Sequence, residues 1–465
     1  MSSSKNGVFI LKSMTKIRRI HDFQHSFSFS SQEEQFDIFY ARFLEGDLGK
    51  IHMAVPWDDL VAAFRLKEAK KGPSSIFSPK GKLALMFLKN YSGLSDRKLI
   101  EHLNGNLDWQ FFCGIYLGTQ RLSNFKIISE VRCELAGKLD MDGAQEALYG
   151  HWSPYIGDSG SITMDATCYE SHLRYPTNIK LLWEAVDWLH SLLRDLCKKT
   201  GEPLPRSKYL KWKKRYVSYS KMRRKTKKRR KALTRALLLL LEKLGREVDR
   251  LEGLHGTTMT KGQYRRRETA KKVLAQQRAL FHKGERPKDR IVSMDRPYIR
   301  PIVRGKEKKP VEFGAKVNKF QVGGISFIEH LSFDAFHEGN RFIDTIFAAQ
   351  RLTRTRTKLA GADAIYATNK NRRFATKYGI RTDFKRKGRA GKHEKQRSKL
   401  ASAITRERAS RLEGSFGKDK EHYHLKRVRA RTKRTEVLWI FFGIHTGNAL
   451  EIGRRMSGAA LERAA

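Results

Sequence analysis

The first clear helical pattern lies between residues 78 and 103. Apolar residues fill positions 83–88, Gly93 interrupts them, and a second apolar face follows the capping residue Ser95. Two helices joined by a short glycine-containing turn are found in a helix-turn-helix that docks on DNA and also in an ordinary helical hairpin. The pattern by itself favours the hairpin.

The pattern changes to alternation near residue 160. Ile162 and Met164 alternate with polar residues, and the alternating run ends at Asp165. This predicts a short strand that delivers a carboxylate at or just past its C-terminal end. A second short strand, predicted within 357–368, ends in the same way at Asp363.

Helical spacing begins after Pro176 and Thr177 and continues to about Arg290. Apolar residues at heptad spacing between Leu237 and Leu251 predict a helical hairpin or, as the alternative, a dimer zipper. Four aromatic residues spaced by three, four and three share one helix face, which favours core packing over a base-stacking platform. They are Tyr209, Trp212, Tyr216 and Tyr219.

Strand patterns return after Ile291 and are followed by an amphipathic helix in "GNRFIDTIFAAQRL". The strand that reaches Asp363 comes next, then a helix that carries Glu413, then the apolar segment 437–444. This order predicts a mixed α/β fold whose core is interrupted by helices.

Charge narrows the possible partners. The 465-residue chain has 95 Lys and Arg against 48 Asp and Glu, a formal net charge of +47. Such self-repulsion predicts a polyanionic partner, and nucleic acid is favoured over a membrane surface because the charge is spread along the chain. The densest run, residues 221–231, has nine basic residues in eleven and must face solvent or phosphates.

The four cysteines are widely and irregularly spaced, which argues against a zinc site and a disulfide framework and suits a reducing cytoplasm. The longest apolar runs are far shorter than the ~20 residues that span a bilayer. The N-terminus has no secretory signal pattern. We therefore expect a protein inside the cell, without membrane contact.

Four blocks of the sequence resemble those of bacterial insertion-sequence transposases of the DDE class, in the IS-five-like branch, and occur in that family's order. They are "TMDATCYESHLRYPTN", "RPIVRGKEKKPVEFGAKV", "GADAIYATNKNRRFATKYGI" and "RLEGSFGKDKEHYHLKRVRAR". The stretch from "FSPKGKLALMFLKNY" to "FFCGI" resembles the family's N-terminal helical domain. The resemblance covers about residues 78–450 and implies a ribonuclease H-like catalytic core interrupted by a long basic helical insertion.

With that resemblance, the chain divides into six predicted regions. They are a poorly defined N-terminal segment (1–77), a helical DNA-binding domain (78–150), the first part of the catalytic core (151–178), a basic helical insertion (179–290), the second part of the core (291–450) and a C-terminal tail (451–465).

The resemblance also implies the catalytic residues. Asp165, Asp363 and Glu413 match the family's three metal-binding acids, and Lys420 matches a lysine seven residues after the glutamate. Carboxylates about 4 Å apart repel by roughly 4 kcal/mol at an effective dielectric near 20, and divalent cations remove this penalty. Because the ligands are all oxygens, we expect two Mg²⁺ or Mn²⁺ ions.

Two details of this assignment rest on the sequence block alone. Glu407 and Glu421 lie near Glu413, so its choice depends on the match of "RLEGSFGKDK". The family expects an arginine four residues before the glutamate, where this chain has Ala409 between Arg408 and Arg411.

Asp334 and Glu338 are further candidates near the predicted site. Either they line it, or they cap the junction between a strand and a helix, which the pattern favours.

The implied function is that of a DNA transposase. It would bind the inverted-repeat ends of its element and target DNA as a dimer or larger assembly, and would associate with the bacterial nucleoid. A metal-dependent nuclease of the same fold and a catalytically inactive DNA-binding relic are the alternatives. The residues expected to contact DNA are Arg223, Arg224, Lys227, Lys228, Arg229, Arg230, Lys370 and Arg372.

Overall fold

The computed structural model describes residues 32–68, 75–256, 259–303 and 310–464. The described residues before the sheet form helices joined by loops. The helices are α1 (Gln32–Glu45), α2 (Asp47–Ala54), α3 (Trp57–Ala63), α4 (Pro79–Ser92), α5 (Asp96–Leu103), α6 (Leu107–Phe112), α7 (Lys126–Lys138) and α8 (Met141–Trp152). They share one hydrophobic core with the sheet that follows.

The two helices predicted around Gly93 are confirmed as α4 and α5. The hydroxyl of Ser78 accepts a hydrogen bond from the Gly81 N–H at 3.1 Å and caps α4. Gly93 ends α4 with a φ of +62°, and a Cβ there would lie 2.1 Å from Nε2 of His424. Only glycine meets both constraints.

The strands form one mixed sheet, so the predicted mixed α/β class is confirmed. They are β1 (Ser161–Glu170), β2 (Pro301–Val303), β3 (Val311–Val322), β4 (Ile325–Ser332), β5 (Leu359–Ala362) and β6 (Arg381–Thr382). β3 runs antiparallel to β1, β2 and β4, while β5 runs parallel to both β1 and β6. β1 and β5 therefore lie at the centre of the sheet.

One strand boundary was predicted wrongly. β1 does not end at Asp165 but continues to Glu170, because residues 166–170 keep their pairing with β3. Thr167 and Tyr169 suit a strand by propensity, and both are buried against the helices that cover the sheet.

A group of four helices between β1 and β2 has its own hydrophobic core. They are α9 (Asn178–Thr200), α10 (Tyr209–Lys221), α11 (Lys227–His255) and α12 (Lys261–His282). The heptad leucines between Leu237 and Leu251 are buried against α9 and α12 within the chain. This confirms the helical hairpin and leaves these leucines unavailable for a dimer zipper.

The remaining helices cover the sheet. They are α13 (Phe342–Thr353), α14 (Asn369–Lys377), α15 (Glu394–Glu407), α16 (Glu413–Glu421) and α17 (Lys433–Ala464). α17 packs on α2, α4, α7 and β4, and it extends through the segment predicted as a tail. Its apolar stretch around 437–444 is buried, as predicted. Within the described residues, no helix has the length and apolar character needed to cross a membrane.

Truncation of a buried heptad leucine should destabilise the four-helix group. We expect Leu244→Ala to cost about 2–5 kcal/mol because it leaves a cavity in a fully buried position. Leu239→Ala is the matched control on α11, since Leu239 is 61% exposed. Chemical denaturation measures both variants, and a large equal effect from Leu239→Ala would show that this face is also covered.

Candidate functional site

Asp165 and Asp363 lie side by side at the centre of the sheet. In the parallel ladder, Met164 is paired with Ala362, so the next position on each chain is one of the two aspartates. Neighbouring strands lie about 4.8 Å apart. The ladder register thus brings together two acids that are far apart in sequence.

The two carboxylates sit in different surroundings. Asp165 is partly buried, and its Oδ1 accepts a hydrogen bond from the Ala166 N–H at 2.8 Å. Asp363 is exposed just after β5, where its Oδ1 accepts from the Ala364 N–H at 2.7 Å and begins a short 3₁₀ turn. One acid is therefore fixed in the sheet, and the other stands at the strand end facing solvent.

Burial raises the pKa of Asp165 from its usual value to about 6. The negative charges of Glu338 and Asp363 raise this pKa further, while the Ala166 N–H and the charge of Arg408 act in the opposite direction. Removal of the carboxylate from water is therefore the main cause of the raised pKa, and the neighbouring charges contribute less.

Within the described chain, Asp165 and Asp363 form no ion pair, whereas the acids around them do. Glu338 pairs with Lys316 at 2.8 Å, and Glu329 pairs with Arg341. In a protein with a net charge of +47, leaving two adjacent carboxylates without a basic partner is unexpected. Such a pair fits a divalent cation, because Mg²⁺ is commonly bound by one or two carboxylates together with water and substrate phosphate.

Glu413 is not brought into a metal-binding group with these aspartates. It begins α16, its side chain is 54% exposed, and its Oε1 lies 3.4 Å from Nη1 of Arg408. Among the described residues, no three His, Cys, Asp or Glu side chains are grouped closely enough to hold a metal ion. The assignment of Glu413 as third acid stays a prediction.

Lys420 lies on the same helix as Glu413, which continues past Gly417. Its Nζ donates to Oγ1 of Thr167 at 2.9 Å. Because alternate residues of a strand point to the same face, Thr167 and Asp165 share one side of β1. Lys420 therefore contacts β1 on the side of the strand that carries Asp165.

Sequence reasoning missed Lys319, which is directly opposite Asp165 in the β1–β3 ladder and is fully buried. Its Nζ bonds to Oδ2 of Asp419 at 2.5 Å and to Oγ of Ser415 at 3.0 Å, so it fastens α16 to the sheet. Burial lowers the pKa of Lys319, and the charges of Asp419 and Asp165 oppose this shift. No local pattern distinguished Lys319, because β3 also contains the polar residues Lys316 and Gln321.

Asp383 was also missed. It directly follows β6, and its Oδ1 accepts a hydrogen bond from the Ala362 N–H at 3.0 Å, next to Asp363. Its side chain is only 4% exposed, and burial raises its pKa. It repeats the strand-end acid pattern of Asp363, but β6 is only two residues long and leaves a weak sequence signal.

The two further candidates, Asp334 and Glu338, have different surroundings in the structure. Asp334 is exposed, and its Oδ1 lies 3.6 Å from Nε of Arg300. Glu338 begins the 3₁₀ turn that leads into α13, but the N-cap position of this turn is His337 and it has no side-chain cap hydrogen bond. The charge of Glu338 nevertheless acts on Asp165, so this residue also borders the site.

The basic run at residues 221–231 is exposed, as its composition required, apart from the partly covered Met222. The exposed side chains include the predicted DNA contacts Arg223, Arg224, Lys227, Lys228, Arg229 and Arg230. A cleft of about 870 Å³ lies beside them. Its lining includes Tyr216, Tyr219, Phe281, Lys225, Arg230 and Lys231.

The aromatic face of α10 is packed, which confirms the favoured interpretation. Trp183 of α9 stacks on Tyr209 and Tyr216, with ring centroids 5.6 and 4.8 Å apart. Only the edges of this face reach the cleft.

The two other predicted DNA contacts lie on α14. Lys370 is exposed, whereas Arg372 is partly buried and its Nε donates to the Ala367 carbonyl at 3.1 Å. Lys370 is therefore the freer of the two to contact a ligand.

Two stretches of the chain match known family models. Residues 40–134 match the model described as "Transposase domain (DUF772)", and residues 361–443 match "Transposase DDE domain". No curated protein and no solved structure matches the chain significantly. The first match begins within α1, well before the predicted domain start at residue 78, and the second includes Asp363 and Glu413.

These two matches support the class of insertion-sequence transposases with a DDE domain. The DDE domain family in general implies an enzyme that cleaves and transfers DNA. Asp165 and helices α9–α12 lie outside both matched stretches.

The raised pKa of Asp165 predicts a pH-dependent effect of Asp165→Asn on stability. A raised pKa favours the protonated form, so this stabilisation is present at low pH and is lost as the pH rises through about 6. Without divalent metal, Asp165→Asn should therefore raise the melting temperature at pH 7.5, and the gain should shrink between pH 6 and 4.

Thermal unfolding in a chelating buffer measures this gain at each pH. Asp195→Asn is the control, because Asp195 is exposed on α9 and distant in sequence from the sheet. No gain for Asp165→Asn at pH 7.5 would contradict the electrostatic description of the site.

Proposed function

We propose that this transposase binds the inverted-repeat ends of its mobile element and catalyses divalent-metal-dependent strand cleavage and transfer. The observation that carries the proposal is the adjacent pair Asp165 and Asp363, left without a basic partner among the described residues of a strongly basic protein. A site with unneutralised carboxylates and a DNA substrate needs cations to approach phosphate.

In this proposal, Asp165 and Asp363 hold Mg²⁺ or Mn²⁺, and Glu413 completes the set. When bound, a pair of such ions activates the attacking oxygen and stabilises the leaving oxygen in displacement at phosphorus. The fixed position of Asp165 in the sheet and the Ala364 N–H bond to Asp363 orient the two carboxylates. Lys420, held beside Asp165 through Thr167, provides a cationic group for a neighbouring DNA phosphate.

We propose that the exposed basic run binds the DNA backbone. Lys227, Lys228 and Arg229 lie in the first turn of α11, where cations are unfavourable because the helix dipole is positive there. The stability of the helix therefore does not explain why basic residues stand in its first turn. The same dipole favours phosphate, so the helix end and its side chains attract the same ligand.

The finer classification is also a proposal. A mixed sheet with both aspartates at its centre supports a ribonuclease H-like catalytic core, and the separate hydrophobic core of α9–α12 supports their role as an insertion. The IS-five-like branch and a dimer or larger assembly on DNA are expectations from the sequence blocks and from the need to hold two element ends.

Removal of either aspartate should separate binding from catalysis. We expect Asp165→Asn and Asp363→Asn to abolish cleavage of element-end DNA with Mg²⁺ or Mn²⁺, while end binding persists. Glu413→Gln should behave in the same way if it is the third acid. Glu421→Gln is its matched control on α16, because Glu421 is exposed and paired with Lys426.

Gel-based cleavage and end-binding assays measure both properties, and pre-cut ends test joining to target DNA. Unchanged cleavage by Asp165→Asn would exclude the proposed chemistry. Cleavage without joining of pre-cut ends would instead favour the nuclease alternative, and no cleavage by any form would favour the inactive relic.

Neutralising basic residues at the start of α11 should weaken DNA binding in a salt-dependent way. The double substitution of Lys227 and Lys228 by Gln should reduce the slope of log affinity against log salt by about 0.9 for each lost phosphate contact. The control replaces Lys198 and Lys199, exposed at the end of α9, by Gln. Fluorescence anisotropy at several salt concentrations measures the slopes, and equal slopes for the two double variants would contradict this placement of the DNA.

A further inference from the structure

The helix that carries Glu413 contains a π-helical turn directly before it. This turn spans Arg408–Leu412 and joins α15 to α16 without interrupting the helix. The Glu413 N–H donates to the carbonyl oxygen of Arg408, five residues earlier. In an α-helix, the same N–H would bond to Ala409, four residues earlier.

The turn changes which side chain lies next to Glu413. Residues four apart are neighbours on an α-helix, whereas residues five apart are not. Because the π turn inserts one residue into the helical register, Arg408 takes the neighbouring position that Ala409 would otherwise occupy. In this position the Arg408 side chain contacts Glu413, and its Nη1 lies 3.4 Å from Oε1 of Glu413.

Arg408 also reaches the sheet. Its side chain is 14% exposed, and its Nε lies 3.8 Å from Oδ2 of Asp383. The other carboxylate oxygen of Asp383 accepts the Ala362 N–H, one residue before Asp363. One guanidinium thus connects the helix of Glu413 to the strand end of Asp363.

The charge of Arg408 acts on Asp165 as well. The π turn packs against β1, and the guanidinium lies 3.8 Å from Oδ2 of Asp383 and 3.4 Å from Oε1 of Glu413. A planar group with five donors is suited to join several carboxylates in a fixed arrangement.

We infer that Arg408 is a positioning residue of the acidic site and that the π turn is the structural device that places it there. The inference rests on the proposed metal-dependent function. Arg408 restrains the Glu413 carboxylate on the helix that packs beside the strands of the two aspartates.

Arg411, the other arginine beside Ala409, has a different environment. Its Nη1 lies 3.1 Å from Oε1 of Glu407, one turn earlier on the outer helix face, and its side chain is 56% exposed. Exposed pairs of this kind contribute little. Arg411→Gln is therefore the matched control for Arg408→Gln.

The experiment compares Arg408→Gln, Arg408→Lys and Arg411→Gln in the full-length protein. We expect Arg408→Gln to weaken Mn²⁺ binding and to slow end cleavage, each by about 10–100-fold, as for other residues that orient metal ligands. Arg408→Lys should recover part of both, and Arg411→Gln should resemble the wild type. Electron paramagnetic resonance of bound Mn²⁺ measures metal binding without DNA, and anisotropy checks that end binding is unchanged.

Deletion of Ala409 tests the role of the π turn itself. Without that residue, the helix can become a regular α-helix in which Arg408 stands four residues before Glu413. We expect the deletion variant to keep Mn²⁺ binding and cleavage within a few-fold of the wild type, about the variation of a single weak contact. When Arg408→Gln is combined with the deletion, Mn²⁺ binding and cleavage should fall well below those of the deletion variant alone.

The inference is overturned if Arg408→Gln and Arg411→Gln have equal Mn²⁺ affinities and cleavage rates. It is also overturned if the deletion variant, folded by circular dichroism, loses as much activity as Arg408→Gln. Failure of the proposed function gives a different result, because Asp165→Asn would then leave Mn²⁺ binding and cleavage at wild-type values.

Discussion

The parallel pairing of β1 with β5 is the constraint on which the site depends. It places Asp165 and Asp363 on adjacent strands at the centre of the sheet. Small residues on β5 make a second contact possible, because a Cβ on Gly361 would lie 2.6 Å from Cγ2 of Ile404 on α15. Because α15 lies close to β5, the π turn that follows α15 packs against the neighbouring strand β1. One pairing therefore positions both aspartates and the helix with the third predicted acid.

Charge is distributed unevenly around this centre. Acids bordering the aspartates have basic partners, and Lys319 with Asp419 forms a fully buried pair that fastens α16 to β3. Breaking such a pair by removing one partner is costly, because the remaining charge stays buried. Asp165 and Asp363 differ from these bordering acids, because neither forms an ion pair with a described residue.

The four-helix group and the sheet have separate hydrophobic cores, and their surfaces differ accordingly. The apolar face of α11 is used within the group, which leaves its basic first turn and the preceding loop at the surface. Such an arrangement suits binding to DNA by phosphate contacts, which carry affinity without sequence information.

The sequence by itself determined the helices around Gly93, the mixed α/β class and the exposure of the basic run, and its collinear blocks indicated the family, because periodicity, charge and blocks are local signals. It also located Asp363 at a strand end. It left helices α1–α3 unassigned. It misplaced the end of β1, since pairing with β3 rather than local alternation extends that strand to Glu170. It had no means to find Lys319, Asp383 or the contact of Arg408 with Glu413. The positions of Lys319 and Asp383 depend on ladder register and burial, and the contact of Arg408 with Glu413 depends on one extra residue in a helical turn. Only the tertiary structure determines these features, because the strand pairing, and the packing of that turn against β1, involve segments that are far apart in sequence.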